Sequence, residues 1–401
     1  MTAGPATALD AELTAPVLQE AFFAQDPWPH LARLRRECPV AWNEETGVWV
    51  LSAYSEVAAA SADSATFCSS KGVLLFEIGV DYPAPPTMMH TDPPAHTRYR
   101  KLVQPSFKPS VVRGWEEAVR RRTRALLDAI EPAAPVDVVD ALSVPLPLQV
   151  ICDVLGIPGE DWPQFYLWSE AAIPGSREWS AGERERLMGE CTAYLLAAAQ
   201  ERRTRPREDL VSLVATAEID GDRLSDAEIV MFLVQLLVAG NETTRTMLSS
   251  GIATLAQTPD QWQRLRVDPA LIPTAVEEML RWSTPVLAFM RTATRDAQLR
   301  GRTVRAGEPV WLLYASANRD EEKFGFDADA FDVGRDPNPH LSFGYGAHFC
   351  LGAPLTRLEG RIVLEEMLTR YSAIEPAGPV QRINSNVIAG ITKAPVAFRA
   401  T

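Results

Sequence analysis

The chain has 401 residues, 46% of them hydrophobic and 23% charged, and a formal net charge of −13. That balance is typical of a globular protein with a large core, and the negative charge argues against nucleic acid as a partner. Five scattered cysteines (Cys38, Cys68, Cys152, Cys191 and Cys350) form no CxxC pair, which reads as a reducing compartment without disulfides. Met1 to Gln25 holds no basic n-region and no apolar run long enough for a signal peptide or membrane anchor, so a cytoplasmic location is expected. No Gly/Ser linker, repeat or low-complexity block divides the chain, so one domain over residues 1–401 is expected.

Pro29–Glu37 reads as a helix. Ala41–Trp42 and Val48–Leu51, separated by Asn43-Glu44-Glu45-Thr46-Gly47, read as a β-hairpin, and Tyr54–Ser61 as another helix. Ser69–Met89 is irregular: Gly72, Gly79, Pro83, Pro85 and Pro86 interleave with Val73, Leu74, Leu75, Phe76, Ile78 and Tyr82. A loop this long and this apolar points to function rather than disorder. Asp92-Pro93-Pro94 opens a helix on which His96 and Arg100, four apart, share a face. From Arg98 to Arg124 the charge inverts, with Arg98, Arg100, Lys101, Lys108, Arg113, Arg120, Arg121, Arg122 and Arg124 against Glu116 and Glu117.

Residues 137–205 read as a run of helices, with Phe165, Tyr166 and Trp168 followed by Ala171-Ala172-Ile173-Pro174-Gly175, and a polar turn at Thr204–Glu208. Ser225-Asp226-Ala227-Glu228 is a capping box opening an almost wholly apolar helix, Ile229–Ala239, that must be buried on most sides. Gly240-Asn241-Glu242-Thr243-Thr244-Arg245 interrupts the apolar run. The plain explanation is a helix that surfaces at residue 241. The alternative is a buried acid and alcohol with a function, Gly240 leaving room for a ligand near the backbone and Thr243 bonding back to the Ala239 carbonyl.

Pro273 starts a helix with Glu278 and Arg281 at i,i+3 spacing, and Arg335 follows in Phe331-Asp332-Val333-Gly334-Arg335. Pro285-Val286-Leu287-Ala288-Phe289-Met290 runs apolar into Arg291. Val304–Pro309 and Val310–Ser316 read as a further hairpin, and Asn386–Gly390 as a β-turn. Between them, Phe343–Gly352 packs three glycines into ten residues, too many for a helix or strand interior. Leu351, Leu355, Leu358 and Ile362 then recur at helical spacing. Cys350 therefore stands at a helix N-terminus, where unpaired N–H groups and the helix dipole favour thiolate over thiol. A nucleophile, a metal ligand and a buried structural cysteine all suit that position.

The spacing Phe-Gly-x-Gly-x-His-x-Cys-x-Gly resembles the haem-thiolate signature of the cytochrome P-450 family, and the other motifs follow in the family's order over essentially the whole chain. The resemblance implies a mainly α fold with a small β region, a triangular prism around a long central helix, and one haem b. There is no CxxCH attachment motif, so the haem would be held non-covalently. Cys350 becomes the axial ligand and the metal site, its thiolate favouring O–O cleavage. Ala239, Phe343 and Gly352 border the haem, and His96, Arg100, Arg291 and His348 become partners of its propionates. Ala-Gly-x-Glu-Thr resembles the oxygen-activation motif, in which Thr243 hydrogen-bonds dioxygen and Glu242 relays protons from solvent. Glu278, Arg281 and Arg335 resemble a structural triad under the haem.

The same resemblance makes Ser69–Met89 the roof of the substrate pocket, and the region after Phe165 a mobile lid. Pocket-lining positions would be Leu74, Leu75, Phe76, Ile78, Leu237, Val286, Leu287, Phe289, Met290, Val387 and Ile388. Arg98, Lys101, Lys108 and Arg113 would border a docking face for an acidic electron donor. Membrane-bound members carry an N-terminal anchor, and this chain resembles the soluble bacterial type. The expected activity is insertion of one atom of O2 into a C–H bond of a hydrophobic small molecule: a terpenoid, a branched lipid or a steroid-like compound. No reductase domain is recognisable, so electrons are expected from NAD(P)H through a reductase and an iron–sulfur ferredoxin. The rivals are a peroxide-dependent haem-thiolate enzyme and a non-catalytic haem-binding protein. The Glu242–Thr243 pair speaks against the first, and Thr243 beneath an apolar roof against the second.

Overall fold

The computed structural model describes residues 7–80, 87–173, 179–219 and 221–401. Helices of nine residues or more are α1 (Trp28–Glu37), α2 (Tyr54–Ala62), α3 (Ala95–Val103), α4 (Glu116–Asp128), α5 (Pro145–Leu155), α6 (Trp162–Ala172), α7 (Ala181–Thr204), α8 (Asp226–Gln257), α9 (Pro259–Val267), α10 (Ile272–Ser283) and α11 (Ala353–Arg370). The principal strands are β1 (Val40–Asn43), β2 (Val48–Leu51), β3 (Phe67–Cys68), β4 (Pro135–Asp137), β5 (Ala288–Ala293), β6 (Pro309–Leu313), β7 (Tyr371–Pro376) and β8 (Pro395–Ala400).

The 32-residue α8 is the axis of the molecule, about 48 Å long at 1.5 Å per residue. It starts at the predicted capping box: the Ser225 hydroxyl accepts from the Glu228 N–H, and the Glu228 carboxylate accepts from the Ser225 N–H. It does not surface at residue 241. Asn241, Glu242, Thr244 and Arg245 are all buried, and the largest hydrophobic cluster packs α4, α5, α7, α10 and α11 around the helix. Gly240 serves this packing rather than a ligand, because a Cβ there would come within 3.0 Å of Ile151 Cδ1 on α5.

The main sheet has the order β1-β2-β6-β5-β3. The hairpin of β1 and β2 forms as the sequence predicts. The second predicted hairpin does not. Val304 ends a two-stranded ribbon with Ala297–Leu299, Gly307 turns the chain at φ +88°, and β6 pairs instead with β2 and β5. Val310 to Leu313 are buried, as an interior strand requires, so β6 needs a neighbour on each side. Tyr314–Ala317 is helical. A second sheet, β7-β8-β4, lies beyond α11.

The loop from Ser69 to Met89 is irregular apart from short turns at Leu75–Glu77 and Met88–His90. Glu77 gathers it, accepting from the Val73 and Leu74 N–H groups and meeting His90 Nε2 at 3.0 Å. Tyr82, Pro83, Pro85 and Pro86 lie outside the described residues, as do Pro174 and Gly175. Among the described residues no helix is long and apolar enough to cross a membrane, and the five cysteines are free.

Candidate functional site

The Gly-rich loop closes on itself where the Cys350 N–H donates to the Phe343 carbonyl at 2.8 Å. Gly346 sits at φ +73°, and a Cβ there would lie 2.7 Å from the Ser61 carbonyl oxygen, so this position admits glycine alone. Helix α11 begins at Ala353, and the Gly352 and Ala353 N–H groups bond the Cys350 sulfur. Burial pushes the Cys350 thiol up, against those N–H groups and the charges of Arg100 and Arg357, and burial prevails. The helix terminus alone therefore does not secure the thiolate the sequence leads one to expect. A half-buried sulfur with two N–H donors and two nearby guanidiniums is the environment of a thiolate that ligates a metal.

On one side of this loop stands a cluster of cationic and imidazole side chains. The His96 and His348 rings lie 4.2 Å apart between centroids, and Ser69 Oγ meets His348 Nε2 at 3.2 Å. Arg100 Nη1 donates to the Ala347 carbonyl at 3.3 Å, and Arg291 Nη1 to the Met290 carbonyl at 2.6 Å. Among the described residues neither arginine has a carboxylate within 4 Å. Burial, then Arg291 and His96, drives His348 down to about 3. Burial and then Arg100 lower His96. Such an accumulation of uncompensated positive potential fits the two acidic arms of a haem.

On α8, Thr243 Oγ1 donates to the Ala239 carbonyl at 3.0 Å, as its spacing predicts. Glu242 lies elsewhere than expected. It is 1% exposed and has no direct access to solvent; Arg245 Nη1 donates to it at 3.0 Å and to Glu170 of α6 at 2.7 Å. Burial, opposed by Arg245 and reinforced by Glu170, pushes Glu242 up to about 7. Arg245 and Glu170 escaped the sequence reading. The i,i+3 spacing of Glu242 and Arg245 could have flagged the first, but no local signal points to Glu170.

The predicted pocket residues separate into groups. Val286, Val387 and Ile388 come together with Ile173, Val238 and Ile383, and Val286 bridges Ile388 across the strands. Phe289 packs by Tyr314 in an adjoining cluster. Leu75 and Ile78 pack on the N-terminal core, Leu74 is half-buried, and Phe76 is 51% exposed. Leu237, Leu287 and Met290 do not belong with the first group. Leu237 lies one residue round the helix from Val238, on the face that carries Leu233 into the main core. Met290 alternates with Phe289 and Arg291 and points to the opposite face of β5, into the N-terminal core. Leu287 joins that core, with its N–H on the Val387 carbonyl and its carbonyl on the Ala315 N–H.

The triad is assembled. Arg281 and Glu278, both 0% exposed in their side chains, meet at 2.7 Å, and Arg335 reaches Glu278 at 3.3 Å. Arg281 also donates to the Asn318, Ala328 and Ala330 carbonyls, and Arg335 to those of Asp327 and Ala330. Glu277 binds Arg357 and His340, which hold it down to about 2 against the effect of burial, and so joins α10 to the cysteine helix.

The basic run divides by use. Arg120 and Arg124 pair with Glu366 of α11, and Arg122 with Asp153 of α5. Lys101, Lys108 and Arg113 are exposed, and among the described residues none has a carboxylate within 4 Å.

Comparison with known proteins agrees with this geometry. The family model "Cytochrome P-450" matches residues 180–269 and 270–399. The methyl-branched lipid omega-hydroxylase of Mycobacterium tuberculosis is 38% identical over 387 residues, spanning 92% of this chain and 90% of its own. The linalool 8-monooxygenase of Pseudomonas putida is 36% identical over 384 residues, spanning 92% and 94%. The crystal structure of CYP108D1 from Novosphingobium aromaticivorans superposes with a TM-score of 0.88 at 30% identity, covering 98% of this chain and 99% of that one. With the cysteine loop, the buried triad and the central helix all in place, this chain belongs to the cytochrome P-450 family and is a haem b monooxygenase.

Proposed function

We propose that the protein hydroxylates a hydrophobic small molecule of the terpenoid, branched-lipid or steroid-like kind, working as one domain over residues 1–401 in the cytoplasm. Its electrons come from NAD(P)H through a reductase and an external iron–sulfur ferredoxin. The observation that carries the substrate class is the wholly apolar wall of Ile173, Val238, Val286, Ile383, Val387 and Ile388, which includes a residue of the helix turn just before Thr243. Two relatives are named for a methyl-branched lipid and for linalool, which supports the same class.

Cys350 would hold the haem through its sulfur, Phe343 and Gly352 shape the loop that carries it, and Ala239 on α8 would leave the haem room. His96, Arg100, Arg291 and His348 take the propionates. When bound, haem supplies the activation of O2, so that one oxygen atom enters a C–H bond and the other leaves as water. Thr243 Oγ1, which already donates to Ala239, can exchange that bond for one to a water or oxidant in the pocket and pass on a proton. Glu242, raised to about 7, holds a proton for much of the physiological range, and its Oε1 has no protein partner. Arg245, which stays protonated, holds the Glu242 carboxyl in place and ties it to Glu170. Val286, Val387 and Ile388 orient the substrate and exclude water.

A spectral titration of the holoprotein with terpenoids, branched fatty acids and steroids tests the substrate class, since an apolar ligand displaces water from the sixth position of the iron. A conversion to the high-spin spectrum is expected with at least one of these classes. Spectral response confined to small polar ligands would refute the proposal.

A further inference from the structure

Beside the 386–390 turn, with Leu287, Ile388, Ala389 and Gly390 in its lining, lies a cavity of about 310 Å³. Its walls come from the N-terminal segment at Phe23–Trp28, the last turns of α8, the end of α10, Arg319 and the chain from Val380 to Ile391. Phe23, Trp28, Val380, Ile383, Ile388 and Ile391 give it an apolar side, and Gln25, Ser250, Thr254 and Gln257 a polar one. The volume is at the lower end for a small-molecule site.

Two arginines set its chemistry. The Arg319 guanidinium is sandwiched between Trp28 and Trp282, 3.6 Å from each ring centroid, and is 3% exposed. Among the described residues its Nε has no hydrogen-bond partner, and Nη2 reaches the Trp282 carbonyl only at 3.5 Å. Among the described residues the carboxylate within 4 Å is Asp329, 3.6 Å from Nη1 and itself 60% exposed. Burial, and then the charge of Arg281, pulls Arg319 down to about 9, the mark of a cation short of compensation. Arg382, on the opposite wall, is exposed, and among the described residues has no carboxylate within 4 Å. Asp26 at the rim is the acidic residue of the lining, and its Oδ1 accepts from the Trp28 N–H at 3.4 Å.

A cavity with one apolar side and two under-compensated guanidiniums is complementary to a molecule with one anionic end and one hydrocarbon end. We propose that it is a second small-molecule site, distinct from the substrate pocket, that takes a medium-chain aliphatic carboxylate, the head group held by Arg382 and Arg319 and the chain lying along Ile383, Ile388 and Ile391. The site abuts the reaction pocket: Ile383 and Ile388 belong also to the cluster around Val286, and a Cβ on Gly390 would lie 3.5 Å from Glu242 Oε1.

The test must separate this site from the substrate pocket, which could itself accept a fatty acid. Holoenzyme is first saturated with phenylimidazole, an azole that ligates the iron and fills the substrate pocket. Decanoate is then titrated by calorimetry, with decanol as the uncharged probe. One decanoate per chain is expected to bind to the azole-saturated protein without displacing the azole spectrum. Affinity for decanol should be lower by about tenfold or more, as should the affinity of Arg382→Gln for decanoate. Arg382 is exposed, so the variant should retain the wild-type azole spectrum as proof of folding. No binding to the azole-saturated protein, displacement of the azole by decanoate, equal affinity for decanol, or an Arg382→Gln variant that binds decanoate unchanged would each overturn the proposal.

Discussion

Arg245 lies three residues after Glu242 on the central helix and donates to its carboxylate at 3.0 Å, with both side chains 2% exposed. The same guanidinium nitrogen reaches Glu170 on α6 at 2.7 Å, so one cation serves two buried carboxylates. Removing it takes a buried cation from both. Arg245→Leu is expected to cost about 3–5 kcal/mol of stability, and Arg245→Leu combined with Glu242→Gln to recover part of that loss. Thermal unfolding of the three proteins decides the matter. An Arg245→Leu melting temperature equal to wild type would show that the ion pair does not carry the packing of α6 on α8.

Thr243→Ala removes the hydroxyl but leaves the helix bond ladder intact. Haem content and the substrate-induced spectral change should stay at wild-type level, while product formed per NAD(P)H falls by about tenfold or more and hydrogen peroxide accumulates. Unchanged coupling would place proton delivery elsewhere.

Glu359 on α11 is buried, and among the described residues its Oε2 has no hydrogen-bond partner. Burial alone raises it from 4.5 to about 8. Between those values the folded chain keeps a proton that the unfolded chain has lost. Stability should therefore fall as pH rises across that window, by at most about 1.4 kcal/mol per pH unit, and level off above it. Glu242, raised to about 7, adds a slope of the same sign. Glu359→Gln should flatten the dependence and be more stable than wild type above about pH 8. Urea unfolding at several pH values reads this directly, and a variant with the wild-type slope would contradict it.

Cys350→His should keep the fold but lose the red-shifted Soret band of the reduced carbon-monoxide complex, since an imidazole cannot supply thiolate character. Persistence of that band would exclude Cys350 as the ligand.

Reversal of exposed charge at Lys101 and Arg113 tests the docking face. Lys101→Glu with Arg113→Glu should raise the KM for a ferredoxin about tenfold at low salt, with the difference shrinking as ionic strength rises, while peroxide-driven turnover holds steady. Arg120→Glu should instead destabilise the protein, because Arg120 is bound to Glu116, Glu365 and Glu366.

What the sequence made legible is what local rules govern. The Ser225–Glu228 box, the hairpin around Asn43–Gly47, the Thr243 back-bond and the Phe343–Gly352 loop all follow from neighbours within a few residues, and each has its predicted form. The failures depend on distant partners. Val304–Pro309 has strand-like residues, but β6 takes its partners from β2 and β5. The absent side chain of Gly240 is accounted for by Ile151, and the burial of Glu242 by Glu170, both far away in sequence. Leu237 and Val238 are equally apolar, and only the packing of α8 decides which of them joins the main core and which the cluster around Val286.

The contact between Gly346 and the Ser61 carbonyl has a practical consequence for anyone redesigning this protein. Helix α2 follows directly on β2, and Tyr54 Oη donates to the Pro339 carbonyl at 2.7 Å, so α2 supports the chain that leads into the cysteine loop. A shortened β1–β2 turn or a repacked α2 would be transmitted to Cys350 although it touches neither substrate nor ligand. Grafting an N-terminal segment from a relative is thus a means of tuning redox behaviour, and swapping the loop alone without its N-terminal support should yield protein that folds but ligates iron poorly.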